Sequence, residues 1–260
     1  IAGIAALALG LLGVMVGLTR LDPTSAAIGG GTVFGALALA VIAFLALAAI
    51  ERRAQAPIIA PNLFATRQLV VTYGLELLIG LLEGALFFMP AALVAADRLS
   101  YAAAGAISAI GAVMFVIVIP GAGRALDAFG SRAVLSLGSV LTAAGLALFG
   151  ISLSSLPVAI VGIVIAGTGF GALLGAPTRY IITNEVPSSM RATAVGLLSI
   201  FLIIGQIFGG SLAGGLVGAD IANVAGYRIA YEVFGALAVV AALGTLLLAS
   251  QARERKSAAH

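Results

Sequence analysis

Gly121-Ala-Gly-Arg-Ala-Leu-Asp-Ala-Phe-Gly-Ser-Arg132 is a short charged stretch with four long apolar runs before it and four after it. Within it Gly123, Asp127, Gly130 and Arg132 fall at the spacing G-x3-D-x2-G-x-R. A link this short between two apolar runs has little room. Its glycines allow a backbone reversal at positive φ. Asp127, ahead of the next run, can accept from free N–H groups there and complement the helix dipole. Arg124 and Arg132 can hold the stretch at the headgroup level of a bilayer or pair with carboxylates on neighbouring helices.

The composition around this stretch sets the class. The chain has 260 residues, of which 62% are hydrophobic and 9% charged, and its mean hydropathy is +1.22. A soluble domain carries about 25% charged residues. The apolar runs are long and continuous rather than alternating, which indicates helices and not a barrel. Thirty-four glycines suit close helix contact in lipid. With no cysteine there is no disulfide framework, thiolate metal site or Cys nucleophile. The single histidine is His260, which excludes a His-based metal or acid–base site inside the fold. The reading is an all-α integral membrane protein.

Eight spans are expected, at about 1–19, 27–50, 68–96, 102–120, 133–152, 157–183, 192–217 and 229–250. Basic residues test their orientation. The links after spans two, four and six, with the tail, carry Arg52, Arg53, Arg67, Arg124, Arg132, Arg179, Arg191, Arg253, Arg255 and Lys256. The opposite side carries only Arg20, Arg98 and Arg228. Ten against three makes the first side cytoplasmic, with both chain ends and residues 121–132 on it. The organisation that follows is a two-span hairpin over 1–50, an amphipathic cytoplasmic link over 51–67, a six-span bundle over 68–250 and a cytoplasmic tail over 251–260. The chain opens on Ile1 with no initiator methionine and no basic leader, so it reads as cut from something longer.

The third span carries two acids. Glu76 and Glu83 are seven residues apart, two helical turns, and so share one face about 10 Å apart. Neither lies at a span end. An ionised carboxylate at mid-membrane costs roughly 2.5–3.5 kcal/mol on the insertion scale, so such a group faces a cavity or a partner. One poised to take or release a proton could couple proton movement to a conformational change and attract a cation. The competing reading is a protonated acid that hydrogen-bonds a neighbouring helix and only holds the bundle together. Gln206 has the same two readings, cavity or interhelical hydrogen bond. Tyr73, Phe87, Phe88 and Phe170 could stack on an aromatic or cationic ligand, or could simply pack. Tyr231 and Glu232 fall near the outer end of span eight, where they could sit at the interface, and Arg179 could snorkel to the inner headgroups.

The glycines favour contact over chemistry. Gly205-x3-Gly209 and Gly210-x3-Gly214 permit tight helix packing, as do Gly167, Gly169 and Gly171. Residues 169–175 are no nucleotide fingerprint, since no strand precedes them. Pro90, Pro120 and Pro177 kink or end their helices where cavities need irregular backbone. No Walker-type loop, nucleophile triad or metal cluster is present. An enzyme is not indicated.

Residues 123–135 resemble the cytoplasmic loop motif of the major facilitator superfamily, G-x-L-x-D-R-x-G-R-K-x-x-L, with Ala125, Ala128 and Ser131 as departures. The loop joins the second and third spans of the six-span unit, where that superfamily carries a weaker second copy. Residues 169–177 with 186–197 look like its link between spans ten and eleven, and residues 205–215 like the glycine-rich helix that follows. The link at 51–67 is similar to that before span seven of the fourteen-span drug:proton antiporters.

The resemblance implies the carboxy-terminal portion of a proton-coupled exporter of hydrophobic or cationic small molecules, in the plasma (inner) membrane. It implies a missing amino-terminal six-span half as partner, with no cofactor beyond the proton gradient and no nucleic acid. Glu83 and Glu76 would serve proton coupling or substrate. Gly123, Arg124, Asp127, Gly130 and Arg132 would form the cytoplasmic gate, and Tyr73, Phe87, Phe170 and Gln206 would line the cavity. An importer or uniporter of a metabolite on the same fold is the alternative, and a non-transporting scaffold or sensor is a third.

Overall fold

Each long apolar run becomes a helix because only a helix pairs every backbone N–H and C=O within its own segment in hydrocarbon. The computed structural model describes residues 2–20, 30–53, 61–97 and 99–249, and every regular element among them is helical. α1 (Ala2–Thr19) and α2 (Gly30–Arg53) form an apolar antiparallel hairpin, in which Gly13 lies against Ala36 and Ala40 and Gly17 against Leu37. Of the eight spans expected, six segments beyond this hairpin are long and apolar enough to cross a bilayer among the described residues, while the hairpin contributes the shorter apolar helices Ala5–Thr19 and Gly31–Leu47. The six are α3 (Arg67–Gly84) continued by α4 (Met89–Asp97), α5 (Tyr101–Phe129), α6 (Ser131–Ile151), α7 (Leu156–Leu173) continued by α8 (Pro177–Glu185), α9 (Arg191–Val217) and α10 (Val224–Thr245). Segment 54–60 of the expected cytoplasmic link and the tail at 251–260 lie outside the described residues.

Small residues decide the pairings. α3 and α9 run parallel, with Gly80 against Leu202, Gly205 against Leu77 and Leu81, and Gly84 against Gly209 and Gly210. α6 and α7 run antiparallel, with Gly145 against Ala166 and Gly162 against Phe149. α5 runs parallel to α7 through Gly111 and Gly167, and α10 antiparallel to α6 through Gly150 and Tyr231. These directions are those of a chain that crosses back and forth once per span. The core between them is built on Leu82, Leu146, Phe149, Ala166, Phe170 and Phe234. The hairpin joins the bundle where α1 meets α9.

Two expectations about element limits change. The stretch 121–132 is not an open link: α5 continues through Pro120 to Phe129, and Gly130 alone turns the chain, at φ 82 and ψ 166. Ala122, Ala125, Leu126 and Ala128 are strong helix formers and outweigh the two glycines among them. Gly123, Arg124 and Asp127 are therefore helical, and Arg132 lies in the first turn of α6. Span eight begins at Val224 rather than 229, because the Asn223 side chain caps it by accepting from the Gly226 N–H at 3.1 Å.

Two spans are interrupted. Between α3 and α4 the turn Ala85–Phe88 is a 3-10 helix, tightened ahead of Pro90. Between α7 and α8 the helix lapses over residues 174–176 before Pro177 restarts it. Both breaks flank the candidate site.

Candidate functional site

Glu83 lies in the last turn of α3, one helix away from Gln206 of α9. The glycine seam brings these two helices close enough for the Gln206 amide to donate to the Glu83 Oε2 at 2.9 Å. Both side chains are half-buried. The carboxylate also forms part of the wall of a cavity of about 270 Å³. Phe87 on the 3-10 turn, Ser108 and Phe115 on α5, and Phe170 on α7 line it as well. At about 30 Å³ per water this space holds several waters or one small organic molecule. A carboxylate, a hydroxyl and three aromatic rings can solvate a cation or a polar group while the apolar walls exclude most water.

Glu76 sits two turns earlier and is only 7% exposed. Its partners come from the second interrupted span. The Thr178 side chain hydrogen-bonds to it, and the Arg179 guanidinium and the Glu83 carboxylate lie near enough to act on it electrostatically. Thr178 and Arg179 belong to the first turn of α8, where free N–H groups also favour a negative charge. The two acids thus have different surroundings. Glu83 faces a cavity and an amide; Glu76 faces a hydroxyl and a cation.

The remaining candidates separate. Phe170 and Phe87 line the cavity with Glu83. Tyr73 is elsewhere, buried between Phe64 and Phe201 at ring-centroid distances of 5.2 and 5.4 Å, with its hydroxyl donating to the Ala194 carbonyl at 3.4 Å. Gly205 and Gly209 are in the α3–α9 seam, where a Cβ would run into the backbone of Leu77 and Leu81. The backbone of Gly210 touches that seam, but a Cβ added to it meets nothing within 4 Å, and one at Gly214 meets only Phe88 at 3.7 Å. The gate candidates at 123–132 lie at the α5–α6 corner, away from the cavity lining.

Two side chains of the cavity wall, a hydroxyl and an aromatic ring, escaped the sequence reading. Ser108 and Phe115, with Gly111 and Ala112 between them, form an i, i+3, i+4, i+7 stripe that could have been noticed on α5. Tyr231 is not at an interface. It is 1% exposed, meets Phe149 edge-on at 4.6 Å, and donates from its hydroxyl to the Ala85 carbonyl at 3.0 Å. Glu232 beside it is exposed. Among the described residues no three His, Cys, Asp or Glu side chains gather to hold a metal ion.

A bundle of apolar, interrupted spans around a small cavity with an acid in its wall is that of a multi-pass membrane protein. The sequence profile of the Major Facilitator Superfamily matches residues 73–260, and the chain belongs to that superfamily, a family of transporters rather than enzymes. It is 30% identical over 231 residues to YfiU, an uncharacterized MFS-type transporter of Bacillus subtilis (strain 168). That match covers 84% of this chain and 43% of the relative, so the chain spans less than half the relative's length. Among solved structures the nucleoside transporter NupG superposes in a mutant form with a TM-score of 0.63 at 18% identity, over 84% of this chain and 60% of that one. A second NupG structure gives a TM-score of 0.59 at 16% identity, over 94% and 63%. At these identities the likeness is one of fold.

Proposed function

We propose that this chain is the carboxy-terminal working part of a proton-coupled secondary transporter that moves small molecules by alternating access. Glu83 takes and releases the coupling proton, and Glu76 assists it. The observation that carries this reading is the Glu83 carboxylate, held by Gln206 at the wall of a cavity between α3, α5 and α7. A scaffold would bury both acids in a dry interface, whereas Glu83 borders open volume.

A second helical unit would complete the cavity over α5, whose Val113, Val116 and Ile117 are more than half exposed. That unit corresponds to the amino-terminal six-span half of the superfamily. The aromatic rings with the acid suit a hydrophobic or cationic substrate, and outward movement follows from the resemblance to the fourteen-span drug:proton antiporters. In this reading the α5–α6 corner, with Asp127 and Arg132, is the inner gate, and both chain ends face the cytoplasm across the plasma (inner) membrane. Import of a polar metabolite is the second reading, favoured by the Glu83–Gln206 pair, which can hydrogen-bond such a substrate as readily as it can bind a cation.

Proteoliposomes bearing the full-length protein test the proposal. An imposed pH gradient should drive substrate movement in the wild type and fail to do so in Glu83→Gln, with insertion and exchange of substrate retained. Gradient-driven transport at the wild-type rate in that variant would remove Glu83 from the mechanism. The direction of proton flux relative to substrate separates efflux from import.

A further inference from the structure

Tyr231 does not line the cavity, yet it ends on the segment that carries Glu83. The link is a chain of exchanged hydrogen bonds. Pro90 has no N–H, so the Leu86 carbonyl lacks the donor that a continuous α-helix would supply. The Met89 N–H turns to that carbonyl instead. Met89 is the residue that would serve Ala85 in a continuous α-helix; in the 3-10 turn the Ala85 carbonyl falls to the Phe88 N–H three residues on, and its second lone pair stays open to a further donor. The Tyr231 hydroxyl supplies it at 3.0 Å. The tyrosine has little freedom to do otherwise. It is 1% exposed, its ring lies edge-on to Phe149, and Gly150 leaves the room that its Cβ occupies. On the other side of the turn the Ala85 N–H donates to the Leu82 and Glu83 carbonyls, so the tightened backbone begins at the acid itself.

We infer that Tyr231 is a positioning residue, which by holding the 3-10 turn at Ala85 keeps the Glu83 carboxylate on Gln206 at the cavity wall. The effect on transport rests on the proposed role of Glu83. The geometric statement does not.

Infrared difference spectroscopy of the full-length protein in lipid reads the contact directly. The Glu83 carboxyl band is defined as the one lost in Glu83→Gln, and Gln206→Leu marks its position without the amide. Tyr231→Phe is expected to bring the band to the Gln206→Leu position and to slow initial transport by about three- to tenfold, roughly the worth of one hydrogen bond. A band at the wild-type position in Tyr231→Phe overturns the inference, whatever the rate. A moved band with unchanged transport supports the positioning role and counts instead against proton coupling by Glu83. Should Tyr231→Phe not fold, Gly150→Ala takes its place. Its Cβ would stand 2.8 Å from the Tyr231 Cβ and displace the ring, carrying the hydroxyl off the Ala85 carbonyl. The moved band is expected there too, and a wild-type band overturns the inference.

Discussion

Replacing Gly84 by alanine tests the seam on which the site depends. A Cβ at that position would stand 2.6 Å from the Gly210 nitrogen, 2.7 Å from the Gly209 carbonyl carbon and 2.8 Å from the Gly209 Cα. These are backbone atoms and cannot rotate aside. Carbon atoms in ordinary contact are about 3.5–4.0 Å apart, so α3 and α9 must part locally by about 1 Å. Overpacking of this kind costs roughly 1–3 kcal/mol. Alanine returns about 0.5–1 kcal/mol of helix preference, which leaves a net loss near 1–2 kcal/mol. The same separation would stretch the 2.9 Å Gln206–Glu83 bond, which crosses the seam one residue away, past hydrogen-bonding distance. Gly210→Ala is the control, because its Cβ meets nothing within 4 Å. Denaturant titration in mixed micelles, followed by circular dichroism, should show Gly84→Ala destabilised and Gly210→Ala unchanged or slightly stabilised. Equal stability of the two variants would refute the claim that bare backbone contact at Gly84 sets the spacing.

Gly130→Ala should cost about 1–3 kcal/mol in the same titration, since φ 82 with ψ 166 is a backbone region essentially reserved to glycine; a variant as stable as the wild type would contradict the tight α5–α6 corner. Phe170→Leu and Tyr73→Leu should part ways. The first reshapes the cavity and is expected to alter substrate KM, while the second loosens the Phe64–Tyr73–Phe201 cluster and is expected to lower stability by about 1–3 kcal/mol with KM unchanged. Transport kinetics beside melting curves check both.

Helix existence was legible because a span of apolar residues has one way to satisfy its backbone in lipid. The breaks were legible in part: Pro90, Pro120 and Pro177 each remove a donor from an apolar run, but only the first and last lie beside a break, and α5 runs on through Pro120. The course of residues 121–129 was not. Two glycines and two charges look like a turn, but the alanines and leucine among them carry α5 a further two turns. The start of α10 was missed for a related reason. Arg228 reads as loop, and only the Asn223 cap places Tyr231 two turns inside the helix, where it reaches Ala85. The Glu83–Gln206 pair spans 123 residues. No local spacing could announce it, although each residue by itself stood out as polar within an apolar run.

The polar atoms and the broken backbone occur together, and each accounts for the other. An interrupted helix in hydrocarbon leaves carbonyls or N–H groups that need partners, and a buried acid needs donors. At the first break the Tyr231 hydroxyl serves the Ala85 carbonyl while Gln206 serves Glu83. At the second, the opening turn of α8 brings Thr178 and Arg179 to Glu76. If the acids served packing alone, regular helix faces would hold them as well, and the interruptions would have no reason to lie beside them. The α3–α9 seam is stiff because backbone meets backbone along it. Bending is therefore easiest at residues 85–88 and 174–176, and any change in the charge of Glu83 or Glu76 acts on a hinge rather than on a rigid wall.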